Sequence, residues 1–213
     1  MSNRFKAATW LNPPSSFAVD DDAIVLTTDP GTDWWQRTFY GFRNDNAHAL
    51  LLESDANFTF TARASFSYRT LFDQCGLAVY LDSENWVKAS VEHENDDFAR
   101  LGAVVTNLGY SDWATTDIVP LQVMWFRLSR RGPDFLLESS SDGSNFEQMR
   151  IFHLHALGPT TEEMGAANPP LPATRPVRFG LYACSPLKSS FEARFDQLRI
   201  EACQWQAHSV GDE

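Results

Sequence analysis

The chain has 213 residues, 43% of them hydrophobic, with 16 Phe and 7 Trp, enough apolar volume to fill the space between two packed sheets and too much for a disordered chain. Its 17 Lys and Arg stand against 28 Asp and Glu, a net charge of -11, so nucleic acid and anionic membrane are poor partners. No apolar run reaches the roughly 18 residues of a membrane span, and the start Met1-Ser2-Asn3-Arg4-Phe5-Lys6 lacks a secretory apolar segment, which predicts a cytoplasmic protein.

In chain order, strands are predicted over 24–28, 34–40, 47–53, 57–68, 74–82, 85–93, 99–107, 122–130, 134–141, 145–154, 177–184 and 191–200. The clearest is 57–68, where Phe58, Phe60, Ala62, Ala64, Phe66 and Tyr68 alternate with polar neighbours, the period of a half-buried strand. In the last strand Phe191, Ala193 and Phe195 share one phase and Leu198 and Ile200 the other, which places a bulge or bend near Asp196-Gln197. Turn-forming pieces such as Asp29-Pro30-Gly31, Arg131-Gly132-Pro133-Asp134 and Asp142-Gly143-Ser144-Asn145 separate them. The prolines of 156–176 mark an irregular crossing loop, and a frayed tail is expected from about 203, with docking of Trp205 as its alternative. No helical period stands out. The fold class is therefore all-β, an antiparallel β-sandwich or jelly roll, with residues 1–213 forming a single domain.

The chemistry-bearing clusters are modest. Cys75, Cys184 and Cys203 are odd in number and widely spaced, without CxxC, which argues against disulfides and a zinc ribbon. His153 and His155 make half of a metal site with no third ligand in view, so metal: none and cofactors: none are the expectations. Asp20-Asp21-Asp22 and Asp29 to Asp33 lack the spacing of a calcium loop, and turn or capping duty is expected of them. His48 either hydrogen-bonds within its loop or lines a groove.

Alternation supplies a candidate site. Val87, Ala89 and Val91 point one way, so Lys88 and Glu92 point the other; the same parity turns Gln74, Trp125, Arg127 and Tyr182 away from the core. If these strands share one sheet, Gln74, Lys88, Glu92, Arg127 and Tyr182 form a polar patch flanked by Trp34, Trp113 and Trp125. Aromatics beside hydrogen-bonding groups suit a sugar, whose C–H face stacks while its hydroxyls need donors and acceptors. A solvated sheet face with a cross-strand Lys–Glu pair is the alternative. An enzymatic alternative is the run Glu92, Glu94, Asp96, carboxylates at alternate positions, about 6.5–7 Å apart on a strand, a spacing for acid and nucleophile in a glycosidase. Of Trp34 and Trp35, adjacent and so on opposite faces, only one is expected in the core.

The stretch Gly31-Thr32-Asp33-Trp34-Trp35-Gln36-Arg37-Thr38-Phe39-Tyr40-Gly41-Phe42, with Asp45-Asn46-Ala47-His48, Asp73-Gln74-Cys75-Gly76-Leu77, Trp86-Val87-Lys88, Glu92, Ser111-Asp112-Trp113 and Ser141-Asp142-Gly143, resembles a family of uncharacterised concanavalin A-like domains that includes the fungal regulation-of-enolase protein. The resemblance covers about residues 5–202. It implies a lectin/glucanase-type jelly roll of two curved antiparallel sheets whose concave face carries ligands in sugar-binding relatives, and it brings no catalytic residues. The expected function is non-enzymatic: binding or regulation, through the concave face, of a carbohydrate-like small molecule or a metabolic protein partner. A glycoside-active hydrolase and a purely structural interaction domain are the alternatives.

Overall fold

The computed structural model describes residues 4–207. Its strands are β1 (Thr9–Leu11), β2 (Ser16–Val19), β3 (Ala23–Thr27), β4 (Trp34–Gln36), β5 (Arg43–Asp45), β6 (His48–Ser54), β7 (Phe58–Phe66), β8 (Gln74–Asp82), β9 (Asn85–His93), β10 (Ala99–Asn107), β11 (Tyr110–Ile118), β12 (Val123–Arg131), β13 (Asp134–Ser140), β14 (Glu147–His153), β15 (Val177–Cys184) and β16 (Glu192–Ala202). One seven-stranded sheet runs β1-β6-β15-β8-β9-β10-β11 and the other β14-β13-β12-β7-β16-β3-β2, while β4 and β5 form a separate hairpin. The fold is an all-β antiparallel sandwich.

Alternation decides what each sheet buries. Leu77 and Val79 of β8, Val87, Ala89 and Val91 of β9 and Phe179 and Leu181 of β15 meet Phe58, Phe60, Ala62, Phe126, Leu128 and Phe195 from the opposite sheet in one core. Large aromatics set its thickness: Phe58 and Phe179 stack across the sheets at 4.0 Å between ring centroids. The phase change in β16 is a bulge, with the register against β7 shifting between Asp196 and Arg199 and Gln197 at φ 51°, so that Ala193 and Phe195 before it and Leu198 and Ile200 after it all reach the core.

Four strands escape the sequence pattern: β1, β2, β5 and β11. Among them β1, β2 and β11 are sheet edges, and β11 is exposed over most of its length, so no buried face imposes alternation on it. The predicted strand 34–40 stops at Gln36, because Arg37 and Phe39 take φ values of 56° and 64° and the chain turns back. The crossing loop 156–176 also carries a short helix, α1 (Glu162–Ala166), capped by the Thr161 side chain accepting from Met164 N–H. The frayed tail is corrected for 203–207: Gln204 N–H donates to Thr59 Oγ1 at 2.8 Å, and Arg131 donates to the Trp205 carbonyl at 2.9 Å. The rest of that tail, 208–213, lies outside the described residues.

On the first sheet, glycine stands where neighbouring backbone approaches closely. A Cβ on Gly76 would stand 2.0 Å from the Ala89 carbonyl oxygen of β9, and one on Gly102 would stand 2.6 Å from the Ala114 oxygen of β11. Backbone cannot yield to such contacts without flattening the sheet. Gly76→Ala is therefore expected to lower stability by about 1–3 kcal/mol, whereas Gly165→Ala, in α1 with nothing within 4 Å, is expected to change it by less than about 1 kcal/mol and toward stability. Urea unfolding of the two variants checks the contrast; equal midpoints would refute it.

Candidate functional site

Register sorts the outward side chains of the first sheet into rows. Cys184, Gln74, Glu92, Arg100 and Asp117 lie side by side across β15, β8, β9, β10 and β11, and Tyr182, Gly76, Ser90, Gly102 and Thr115 form the next row. Gly180, Ala78, Lys88, Val104 and Trp113 form the third. The middle row is small at Gly76, Ser90 and Gly102, so it is a floor between a polar row and a row ending in Trp113. Over the trough leans the β4–β5 hairpin. The result is a cavity of about 350 Å³ whose lining includes Gln74, Lys88, Ser90, Glu92, Arg100 and Trp113 from the sheet and Asp33, Trp35, Tyr40 and Phe42 from the hairpin.

The hairpin is held by its own residues. Trp34, fully buried, packs on Trp86, Tyr80 and Tyr182, while Trp35, its neighbour on the other face, meets Trp113 edge-on at 6.5 Å and Tyr40 at 5.5 Å. Both tryptophans are thus buried, but only Trp35 reaches the cavity. Gln36 N–H donates to Ser111 Oγ at 2.9 Å, and Arg37 and Arg43 converge on Glu84 at 3.0 and 3.1 Å. The turn beyond them presents Phe39, Tyr40 and Phe42, exposed by 93%, 56% and 46%, as an aromatic rim.

Of the residues expected at a site, the structure brings together Gln74, Lys88, Glu92 and Trp113 around the cavity, with Tyr182 buried beneath it and Trp34 beneath the hairpin. Trp125 and Arg127 are a correction. Their parity is right, but β12 belongs to the second sheet, so they face outward on the opposite side of the sandwich. There Arg127 makes two hydrogen bonds to Glu138, at 2.6 and 2.5 Å, and Trp125 lies under the Arg63 guanidinium and donates to Gln197. The acid-x-acid-x-acid geometry is also corrected: β9 ends at His93, Glu94 turns to Arg100 at 3.1 Å, and Asp96 is exposed in a turn built on Asn95. Only Glu92 of the three lines the cavity.

The remaining clusters are structural. His48 is buried, accepts from Asp29 N–H at 3.0 Å and faces the Asn12 carbonyl at 2.7 Å, so it serves its loop and not the groove. His153 pairs with Asp134 at 2.8 Å, whereas His155 starts a 3-10 turn beyond β14. Among the described residues no group of three or more His, Cys, Asp or Glu is placed to hold a metal. Sequence reasoning missed Asp33 and Arg100 and named Trp34 at the site where its neighbour Trp35 lines the cavity, although the parity argument applied to 99–107 points Arg100 and Gly102 outward.

Residues 10–203 match the model of a family described as "Protein of unknown function (DUF1349)". The chain belongs to that family. A relative within reach of sequence comparison is "Regulation of enolase protein 1" of Saccharomyces cerevisiae (strain ATCC 204508 / S288c), 31% identical over 195 residues, which are 91% of this chain and 89% of the relative. Among solved structures, a functionally unknown protein from Saccharomyces cerevisiae superposes with a TM-score of 0.80 at 29% identity, over 95% of this chain and 100% of that one. At the level of fold alone, a mutant of the GH43 protein BlXynB from Bacillus licheniformis matches with a TM-score of 0.66 and 16% identity, over 93% of this chain but 38% of that one. The carbohydrate-binding module CBM66 from Bacillus subtilis matches with 0.53 and 12%, over 91% and 95%. Among the described residues, no helix is long and apolar enough to cross a membrane.

In this DUF1349 chain the polar floor is wired in one direction. Lys88 Nζ donates to Asp33 Oδ1 at 2.9 Å and to Tyr182 Oη at 3.1 Å; Tyr182 O–H donates to Gln74 Oε1 at 3.0 Å; Gln74 Nε2 donates to Glu92 Oε2 at 2.6 Å. Burial pulls the Lys88 ammonium down, but its acidic neighbours, Asp33 first among them, together outweigh burial and the net shift is upward. Burial also pushes the Cys184 thiol and the Tyr182 phenol well above their usual ranges, which removes both as nucleophiles at neutral pH. Glu92 is lifted chiefly by burial, against the pull of Lys88, from an ordinary 4.5 to about 7.

Between those two values the folded protein keeps a proton on Glu92 that the unfolded chain has released, so folding stability falls as pH rises from 4.5 to about 7 and levels off above. Glu92→Gln retains an oxygen that accepts from Gln74 and removes the titration. The expected outcome is a shallower decline of melting temperature across this window in the variant; identical slopes in both proteins would show that Glu92 does not carry the proton.

Proposed function

We propose that this protein is a non-enzymatic binding and regulatory protein whose cavity on the first sheet takes a carbohydrate-like ligand. The observation that carries the proposal is the trough itself: Glu92, with an unpaired oxygen, and Arg100 stand in one row beside Gln74, whose own hydrogen bonds are spent on its neighbours, Trp113 closes another, and Ser90 and Gly102 leave the floor low between them. A pyranose-like ring offers matching surfaces, hydroxyls along its edge and C–H groups on its face. Its volume lies at the small end of ligand sites, about 300–1,000 Å³, so one or two sugar units fill it.

The fold neighbours support the same direction, since one of them is a carbohydrate-binding module matched over 95% of its length. Hydrolysis is less well supported. Glu94 and Asp96 do not share the cavity with Glu92, and the one further carboxylate that does, Asp33, is occupied by Lys88. The name of the Saccharomyces cerevisiae relative favours a regulatory output on a metabolic enzyme, and the exposed rim of Phe39, Tyr40 and Phe42 is the surface on which ligand-dependent contact with such an enzyme would form.

Titration calorimetry with a panel of mono- and disaccharides tests the binding. At least one sugar is expected to bind, and Trp113→Ala is expected to weaken it by about tenfold or more while the melting temperature of the free protein moves little, because Trp113 is 39% exposed. Absence of binding across the panel, or full affinity in the variant, would overturn the proposal.

A further inference from the structure

Arg100 is the cavity's cation with unused donors. Its Nε lies 3.1 Å from Glu94 Oε2, and its side chain is 31% exposed. Its guanidinium carbon sits 5.5 Å from the Trp113 ring and 5.9 Å from that of Phe98. No other described residue bonds its terminal nitrogens, and Asp117, directly opposite on β11, makes no ion pair with it. Lys88 differs, being buried and committed to Asp33 and Tyr182. Charge and two aromatic rings therefore hold the guanidinium of Arg100 in the lining of the cavity, while its two terminal nitrogens have no partner among the described residues.

We infer that the ligand carries a carboxylate as well as hydroxyls, an acidic sugar, and that the acid group sits on the open fork of Arg100. The inference rests on the carbohydrate proposal and narrows it. A planar guanidinium presents parallel N–H groups that match the two oxygens of a carboxylate, and a fork already held in place loses little freedom on engaging them. A hydroxyl would leave one prong unmatched. A cationic ligand would meet both Arg100 and Lys88. Lys88 is matched by Asp33 and Arg100 by Glu94, so what Arg100 offers a ligand is hydrogen-bond donors in a fixed planar geometry and not uncompensated charge.

The cross-strand neighbour of Arg100 is Glu92, which with its proton on can donate to an anion and without it repels one. The charges facing Glu92 are Lys88 on its own strand, Asp33 before β4, Glu94 beyond β9 and Arg100 on β10. Binding of an anion should accordingly be tighter at lower pH.

Calorimetry on the full chain with glucuronate and glucose as probes tests this. Wild type is expected to bind glucuronate about tenfold more tightly than glucose, with a larger ratio at about pH 6 than at about pH 8. Arg100→Gln should bring the glucuronate-to-glucose ratio to about one, and Arg100→Lys, which keeps the charge but not the fork, should restore only part of it. Glu92→Gln should keep the preference and level its pH dependence. Equal affinities in wild type, or a preference that survives Arg100→Gln, would overturn the acidic-sugar inference and leave sugar binding standing. Failure of both probes and of every neutral sugar would overturn the two together, and acetate binding without any sugar would overturn the sugar half.

Discussion

The ion pair between Lys88 and Asp33 holds the site together. Lys88 is 5% exposed, and an ammonium taken out of water at that depth costs several kcal/mol unless its donors are met. They are met on two sides of the cavity, by Asp33 before the hairpin and by Tyr182 in the sheet. The oxygen of Asp33 that receives Lys88 also accepts from Trp34 N–H at 2.7 Å, so one carboxylate oxygen neutralises the lysine and sets the entry of the tryptophan that fills the space between hairpin and sheet. The cavity wall is a consequence. That anchor joins the Gln36–Ser111 hydrogen bond and the pairs of Arg37 and Arg43 with Glu84 in fixing Trp35, Tyr40 and Phe42 over the trough.

The same pair polarises the floor. Each successive donor, from Lys88 through Tyr182 and Gln74, points toward Glu92, which is the chain's last acceptor. Glu92 Oε1 is left without a partner in a buried position, an arrangement that disfavours the charged form and agrees with the upward shift. On the proposed reading, a single proton on that terminal carboxyl would change the site's preference for ligand charge without any movement of the fold.

Much of this was legible in local alternation, and its failures are equally specific. In β8, β9 and β15 every second residue is apolar and faces the core, so the outward direction of Gln74, Lys88, Glu92 and Tyr182 follows from the residues alone. β12 alternates as cleanly, yet which sheet a strand joins depends on pairing with β7, distant in sequence, and nothing local to Trp125 and Arg127 encodes that. β11 is an edge strand wet on much of its surface and carries no pattern at all, although its Trp113 closes the cavity. Asp33 reaches Lys88 across 55 positions through a hairpin folded onto the sheet's outer face. The outward direction of Arg100 can be read from its strand, but its open fork cannot, because Glu94, Phe98 and Trp113 define it only after the chain has folded.

Comparison of the two outward faces shows why the proposed ligand site lies on one of them. The second sheet also displays arginine and tryptophan, but there the charges close upon one another: Arg63 and Arg194 on Asp196, and Arg127 on Glu138. With these three arginines paired to carboxylates and its Trp125 covered by Arg63, that face lacks a sheltered trough of the kind the first sheet carries. On the first sheet the row of Gly76, Ser90 and Gly102 removes side-chain bulk just where the hairpin adds a wall, so polar groups there are sheltered from bulk water and yet not all paired. Because the fold is shared with proteins of other functions, it cannot by itself specify activity. What specifies it here is a few outward positions whose hydrogen-bonding capacity exceeds what the chain itself uses.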